Sequence, residues 1–358
     1  MENRLILAIN PGSTSTKIAV YDNIKSVFVK NIKHTSEELK NFPNVINQFS
    51  FRKAIILSEL KSAGVNIEKI EIVIGRGGLL KPIPSGVYEV NKPMKNDLLS
   101  CQYGEHASNL GALIADDIAR ELPGAKAYIA DPVVVDELCN EARLTGLPQF
   151  TRRSVFHALN QKATARIHAK SIGKHYEELN LIVAHLGGGV SVGAHLKGKV
   201  IDVNQALDGE GPLSPERSGT LPVGDLIKAC FSGEYTQDTL KKMVTGEGGF
   251  VAYFGTNDAM VIEAKAKEGD PQALLLQNTL GYQISKYIGA MAAVLNGEVD
   301  NILITGGLAH NKTLMDYITK KIHFIAPVFI YPGEDEMRAL ALNAYRVLMH
   351  ETEIKVYV

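Results

Sequence analysis

The chain lacks three things: a charge imbalance, a cysteine framework and a long apolar run. Lys and Arg together number 38 against 39 Asp and Glu, a formal net charge of −1. No long-range field therefore draws the molecule to nucleic acid or to an anionic membrane. The three cysteines, Cys101, Cys139 and Cys230, are odd in number and spaced without a metal pattern. They read as reduced thiols of a cytoplasmic protein rather than a disulfide scaffold. No uninterrupted apolar stretch reaches the ~18 residues of a membrane helix. The run Leu5–Ile9 is too short for a signal segment and runs into Asn-Pro-Gly. Low-complexity tracts and flexible linkers are missing as well. A soluble chain of 358 residues predicts two domains, each with its own core.

What is present is organised around Leu181–Asn204, LIVAHLGGGVSVGAHLKGKVIDVN. An apolar run ends in His185, Gly187, Gly188 and Gly189 follow, and an alternating segment and a turn come next. The pattern predicts strand, tight loop, strand, turn, strand. Consecutive glycines let backbone N–H groups approach and face a phosphate chain. Leu5–Asp22, LILAINPGSTSTKIAVYD, repeats the layout. Placing Asn10 on His185 puts Gly12 on Gly187 and carries both flanking strands into register. Two such units predict two similar domains, each opening with a phosphate-facing hairpin. Alternation along the second strand puts Ser13, Ser15 and Lys17 on one side, a set of hydroxyls and an ammonium suited to a polyphosphate and the substrate beside it.

Further polar residues punctuate predicted elements. A helix over Val45–Ala63 stops at Gly64. Strand Ile70–Ile74 leads into Gly75-Arg76-Gly77-Gly78, where an Arg between glycines can reach into a cleft. His106 precedes a helix over Leu110–Leu122. Asp131 ends strand Ala127–Ala130, the place where ligands gather in an α/β sheet. Phe156 and His157 precede a helix over Asn160–Ile172. Arg217 lies in a long Gly- and Pro-rich loop, Asp208–Pro222. The stripe Leu276, Leu280, Ile284, Ile288 and Ala292 predicts a helix facing core or a subunit. Strand Asn301–Thr305 ends in Gly306-Gly307, with Asn311 opening a helix. Pro332-Gly333-Glu334-Asp335-Glu336 opens the last one.

Together INPGSTSTK, HLGGGVSVGAHLKGK, ITGGLAHN and DGEGPLSPERSGTLP resemble the phosphate, adenosine and active-site motifs of the acetate and sugar kinase/Hsp70/actin superfamily. The finer likeness, over essentially the whole chain, is to its carboxylate kinases, the acetokinase family. That resemblance implies an α/β fold of two duplicated ribonuclease H-like (actin-like ATPase) domains with an interdomain cleft. It places residues 1–151 plus 337–358 in an N-terminal, acyl-side domain. Residues 152–336 form the C-terminal, nucleotide-binding domain. The implied reaction is reversible, Mg2+-dependent, in-line phosphoryl transfer between ATP and a short-chain fatty acid.

The likeness also implies roles. Arg76, Asp131, His157, Arg217 and Asn10 are the catalytic group. Ser13, Ser15, Lys17, Gly78, His106, Phe156, His185, Gly187, Gly188 and Gly189 contact phosphate or acyl substrate. Gly306, Gly307 and Asn311 meet the nucleotide, and Asn10, Asp131 and Glu336 (or Glu334) serve Mg2+. Two positions depart from acetate kinases: Gly188 stands where they carry Asn, and Gly255–Asp258 replaces an Asp-Phe-Arg segment. Acetate kinases also follow the Arg with a valine pair where this chain has Gly77-Gly78. Losing a valine would leave room for extra methylenes, each worth about 0.8 kcal/mol when buried. The expected acceptor is therefore butyrate or a branched acid such as isobutyrate, ahead of acetate or propionate. An Hsp70- or actin-like ATPase and a sugar kinase are the alternatives. A homo-oligomer is expected.

Overall fold

The computed structural model describes residues 4–358. The chain divides into two compact units, one running to Val135 and resumed over Asp335–Val358, the other Asp136–Glu334. The first boundary thus lies well before Arg152, where the sequence reading put it. Residues 136–152 are tied to the second unit. The Arg152 guanidinium bonds the Ala142 carbonyl, Asp202 and Glu210, and Lys162 pairs with Glu137 at 2.8 Å.

The first unit is built on a sheet containing β1 (Leu5–Pro11), β2 (Ser15–Asp22), β3 (Lys25–Lys33), β4 (Ile70–Arg76), β5 (Val87–Glu89) and β6 (Lys126–Ala130). Its order is β5-β6-β4-β1-β2-β3, with the short strand Ile354–Lys355 beyond β5. Central β1 is buried from Ile6 onward, as a strand covered on both faces must be. Edge strand β3 is largely exposed and carries Lys25, Lys30 and Lys33, charges that discourage edge-to-edge pairing. The helices Phe49–Ser62 and Asn109–Arg120 help cover the sheet, their buried residues joining one core with Leu7, Ile9 and Val73.

The second unit contains β7 (Asn180–Leu186), β8 (Val190–Leu196), β9 (Lys199–Val203), β10 (Asn301–Gly306) and β11 (Val328–Pro332), ordered β11-β10-β7-β8-β9. The direction pattern repeats that of β6-β4-β1-β2-β3: two parallel pairings, then two antiparallel ones. Here is the duplication seen in the two hairpins, extended to five strands. The expected stripe lies on the helix Pro271–Val294, with Leu276, Leu280, Ile284 and Ile288 in the core and Ala292 against it. Among the described residues no helix is long and apolar enough to cross a membrane.

Candidate active site

Each unit presents a hairpin whose strands are joined by three residues, 12–14 and 187–189. In the first, Gly12 N–H donates to the Ser15 carbonyl at 2.7 Å. Ser15 and Lys17 are half-buried and Ser13 exposed, while Thr16 on the opposite face is buried. Behind the loop lies a residue that the sequence reading passed over. The Arg52 guanidinium, fully buried, donates to the carbonyls of Gly12, Ser13 and Ser15, to Thr16 Oγ1 and to Gln48 Oε1. Burial among neutral acceptors pulls its pKa down to about 10. The available signal was its place on the stripe Arg52, Ile56, Leu60, the buried face of its helix.

At the mouth of this unit Arg76, Asn10 and Glu336 meet. Arg76 Nη1 lies 2.9 Å from one Glu336 carboxylate oxygen and 3.0 Å from the other. Asn10 Nδ2 donates to the same carboxylate, and its Oδ1 lies 3.4 Å from Arg76. Backbone-to-backbone packing seats the arginine. A Cβ on Gly75 would run into the Gly111 carbonyl, and one on Gly111 into that of Arg76. So β4 can lie directly on the helix Asn109–Arg120.

That packing overturns the reading of Gly78. A Cβ there would stand 2.6 Å from Asn109 Cα and 2.8 Å from Leu98 Cδ2. No side chain fits, so its absence opens no room for methylenes. His106 is exposed on one side, and its Nδ1 accepts from the Ser108 N–H at 3.1 Å. Loss of hydration, then the charges of Arg76 and Arg52, lowers its pKa. Asp131 is buried with φ +40°, its Oδ1 taking bonds from Ser85 Oγ at 2.6 Å and Gly86 N at 2.9 Å.

In the second unit, the His157 and His185 rings stack at 3.9 Å with 15° between planes. His157 Nδ1 lies 2.8 Å from Ser191 Oγ, and His185 Nδ1 lies 2.8 Å from Asn160 Oδ1. Glu334 reaches His185 Nε2 at 3.2 Å. The two candidate acids therefore separate cleanly: Glu336 sits with Arg76, Glu334 with His185. Phe156 is buried just before the helix Ala158–Ser171.

The three loop glycines differ in what they permit. A Cβ on Gly189 would fall on the Arg217 guanidinium, one on Gly188 would approach Glu216 at 3.2 Å, and one on Gly187 would approach His185 Nε2 at 3.0 Å. Arg217 donates to the Ala206 carbonyl, and its Nε–H is buried without a hydrogen-bond partner. Burial lowers its pKa. Gly306, at φ +98°, is needed for the approach of β10 to the Leu186 backbone, whereas Gly307 faces open space. Asn311 caps the helix Lys312–Ile322 through Leu314 N–H at 2.9 Å and lies against Gln277. Its side chain has a structural task.

Two α/β units that repeat one order and direction of five strands, each with its own hairpin, make a duplicated fold of the actin-like type. A crystal structure of Porphyromonas gingivalis acetate kinase matches this fold with a TM-score of 0.77 at 21% identity, covering 96% of this chain and 100% of that one. The acetokinase family model matches residues 131–326. A protein named butyrate kinase 2, from Clostridium acetobutylicum, is 57% identical over 98% of this chain and 99% of its own length. A probable butyrate kinase from Clostridium botulinum is 53% identical with the same coverage. The chain belongs to the acetokinase family.

Proposed function

We propose that the protein is a reversible carboxylate kinase, transferring the γ-phosphoryl group of ATP to butyrate, or to a branched acid of similar size, to give an acyl phosphate and ADP. One observation carries this reading. Arg76 and Asn10 beside one hairpin and Arg217 and His157 beside the other are donors, and the carboxylate next to Arg76, Glu336, is held by Arg76 and Asn10, while Glu334 is held against His185. A hydroxyl acceptor would need a base; a carboxylate, ionised at pH 7, does not. Opposing its attack is the approach of one anion to another, so catalysis is placement and cancellation of charge. In the first unit Arg76 would neutralise the incoming acid. In the second, Arg217, with its unpartnered Nε–H, and His157 would donate to phosphoryl oxygens. Support for the acid comes from the relatives' names, since Gly78 is packed too tightly for its missing side chain to open room for methylenes.

Lys17, Ser13 and Ser15 on one hairpin and Gly187–Gly189 on the other are the phosphate-facing groups. Gly306 and Gly307 lie at the nucleotide end. Among the described residues no group of three or more His, Cys, Asp or Glu could cage a metal. This fits Mg2+, which is commonly bound through one or two carboxylates, water and substrate phosphates. Glu336 and the Asn10 amide oxygen are the hard donors that would hold it, with Asp131 a further carboxylate of the same unit. Bound there, it would neutralise phosphate charge. The free cysteines fit a reducing, cytoplasmic setting. Exposed Val223, Ile227, Phe231 and Met260 fit a covered face in a homo-oligomer.

Hydroxylamine trapping tests the reading. Purified protein, Mg-ATP and acetate, propionate, butyrate, isobutyrate or glycerol are incubated separately, and ferric hydroxamate is measured. Strongest colour is expected with butyrate or isobutyrate. Strongest colour with acetate would keep the chemistry and change the acid. ADP release without hydroxamate from any acid would overturn the carboxylate-kinase reading.

A further inference from the structure

His157 ends a buried hydrogen-bonded chain that runs away from the hairpin into the second unit. Ser191 Oγ lies 2.8 Å from His157 Nδ1. Gln161 Nε2 donates to the same Oγ at 2.8 Å and to the Ser191 carbonyl at 3.1 Å. Gln161 Oε1 lies 2.9 Å from His195 Nε2, and His195 Nδ1 lies 2.6 Å from the Tyr176 hydroxyl. Gln161, Ser191 and His195 are each 0% exposed, and Tyr176 is 3% exposed.

Every bond in this chain has one allowed direction. The Ser191 carbonyl can only accept, so the Gln161 amide nitrogen must face it and the amide oxygen must face His195. Complete burial, then the charges of Lys162 and Arg166, keeps His195 neutral with a single ring proton. Facing an acceptor, its Nε2 carries that proton, and its Nδ1 accepts from Tyr176. Ser191 Oγ already accepts from Gln161. A buried hydroxyl proton needs an acceptor, and the one in reach is His157 Nδ1. Gly193 supplies a separate sign that the arrangement is built: a Cβ there would lie 2.8 Å from Gln161 Oε1 and 3.3 Å from His195 Nε2.

We propose that Ser191, Gln161 and His195 are positioning residues that lock His157 in the tautomer with a bare Nδ1 and a protonated Nε2. Its catalytic bearing rests on the function proposed above: only that tautomer keeps a neutral imidazole a hydrogen-bond donor to a phosphoryl oxygen through Nε2.

The test is the tautomer itself, read by NMR on full-length protein labelled with 15N-histidine at about pH 8, where an unperturbed imidazole is neutral. The His157 signal is assigned by its loss in His157→Gln. The expected spectrum shows protonated Nε2 and bare Nδ1. Ser191→Ala removes the hydroxyl that donates to His157 Nδ1 and is expected to give a mixture of tautomers and a fall in kcat of roughly tenfold, with KM for ATP little changed. Gln161→Met keeps the side-chain length, leaves the Ser191 hydroxyl without its donor and so able to accept from His157, and should likewise admit the second tautomer. Protonated Nδ1 in the unsubstituted protein, or a tautomer unchanged in both variants, would overturn the proposal. Failure of the protein to make any acyl phosphate would strike the proposed function and leave the tautomer result standing.

Discussion

At the scale of single residues, two glycines of similar appearance do different work. Neither Gly78 nor Gly189 has a φ in the left-handed region, so an added side chain is resisted by neighbours and not by the backbone. At Gly189 the main obstacle is the far end of Arg217, with the Ala206 carbonyl at 3.2 Å; at Gly78 it is the Asn109 backbone and the packed Leu98 side chain. Gly189→Ala should therefore fold normally and lose about a hundredfold in kcat, because the guanidinium leaves its seat. Gly78→Val should lose stability by about 2 kcal/mol through overpacking, with no shift of preference toward acetate. Thermal melts and the hydroxamate panel, run on both variants, separate the two. A stable Gly78→Val enzyme that prefers acetate would show instead that Gly78 sets the size of the acyl pocket.

At the scale of elements, the hairpins were legible because small-residue turns between apolar runs have a local signature. The offset that carries Asn10 to His185 also carries the last loop-flanking residue Ser15 to Val190, both first residues of their second strands. Less legible was whatever depended on partners distant in sequence. Arg52 looked like one more polar residue on a helix, and only its buried stripe betrayed that it supports three carbonyls of the loop some forty residues before it. Residues 136–151 looked like the tail of the first domain, because no linker marks the boundary. Arg152 and Lys162 bind that stretch to the second unit instead. Arg52→Met should leave the loop carbonyls and Gln48 without their donor, costing about 3 kcal/mol and raising KM for ATP. The unfolding midpoint and an ATP titration of the rate check this. A variant as stable and as tight for ATP as the parent would remove Arg52 from the account of the loop.

For the whole molecule, duplication explains why one short segment carries two acids. The chain leaves the second unit after Glu334 and resumes the first at Asp335. Glu334, last of one unit, pairs with His185 on that unit's hairpin, while Glu336, second of the resumed unit, pairs with Arg76 and Asn10 on the other. The sequence could not choose between these acids, since both stand in Gly-Glu-Asp-Glu beside a helix start. Their surroundings decide. The Glu334 side chain is 49% exposed while its partner His185 is buried, so water compensates much of the loss of its charge. Glu334→Gln should therefore lower kcat/KM by no more than about fivefold, the factor that ~1 kcal/mol represents. Glu336 is 22% exposed and its partner Arg76 25%, so removing its charge leaves the guanidinium proposed to orient the incoming acid without its brace. Glu336→Gln should cost about a hundredfold in kcat/KM and raise the Mg2+ concentration needed for half-maximal rate. Glu334→Gln should leave that concentration where it was. A Mg2+ titration of both variants distinguishes them, and a metal requirement that moves with Glu334 alone would assign the metal-linked acid to the second unit.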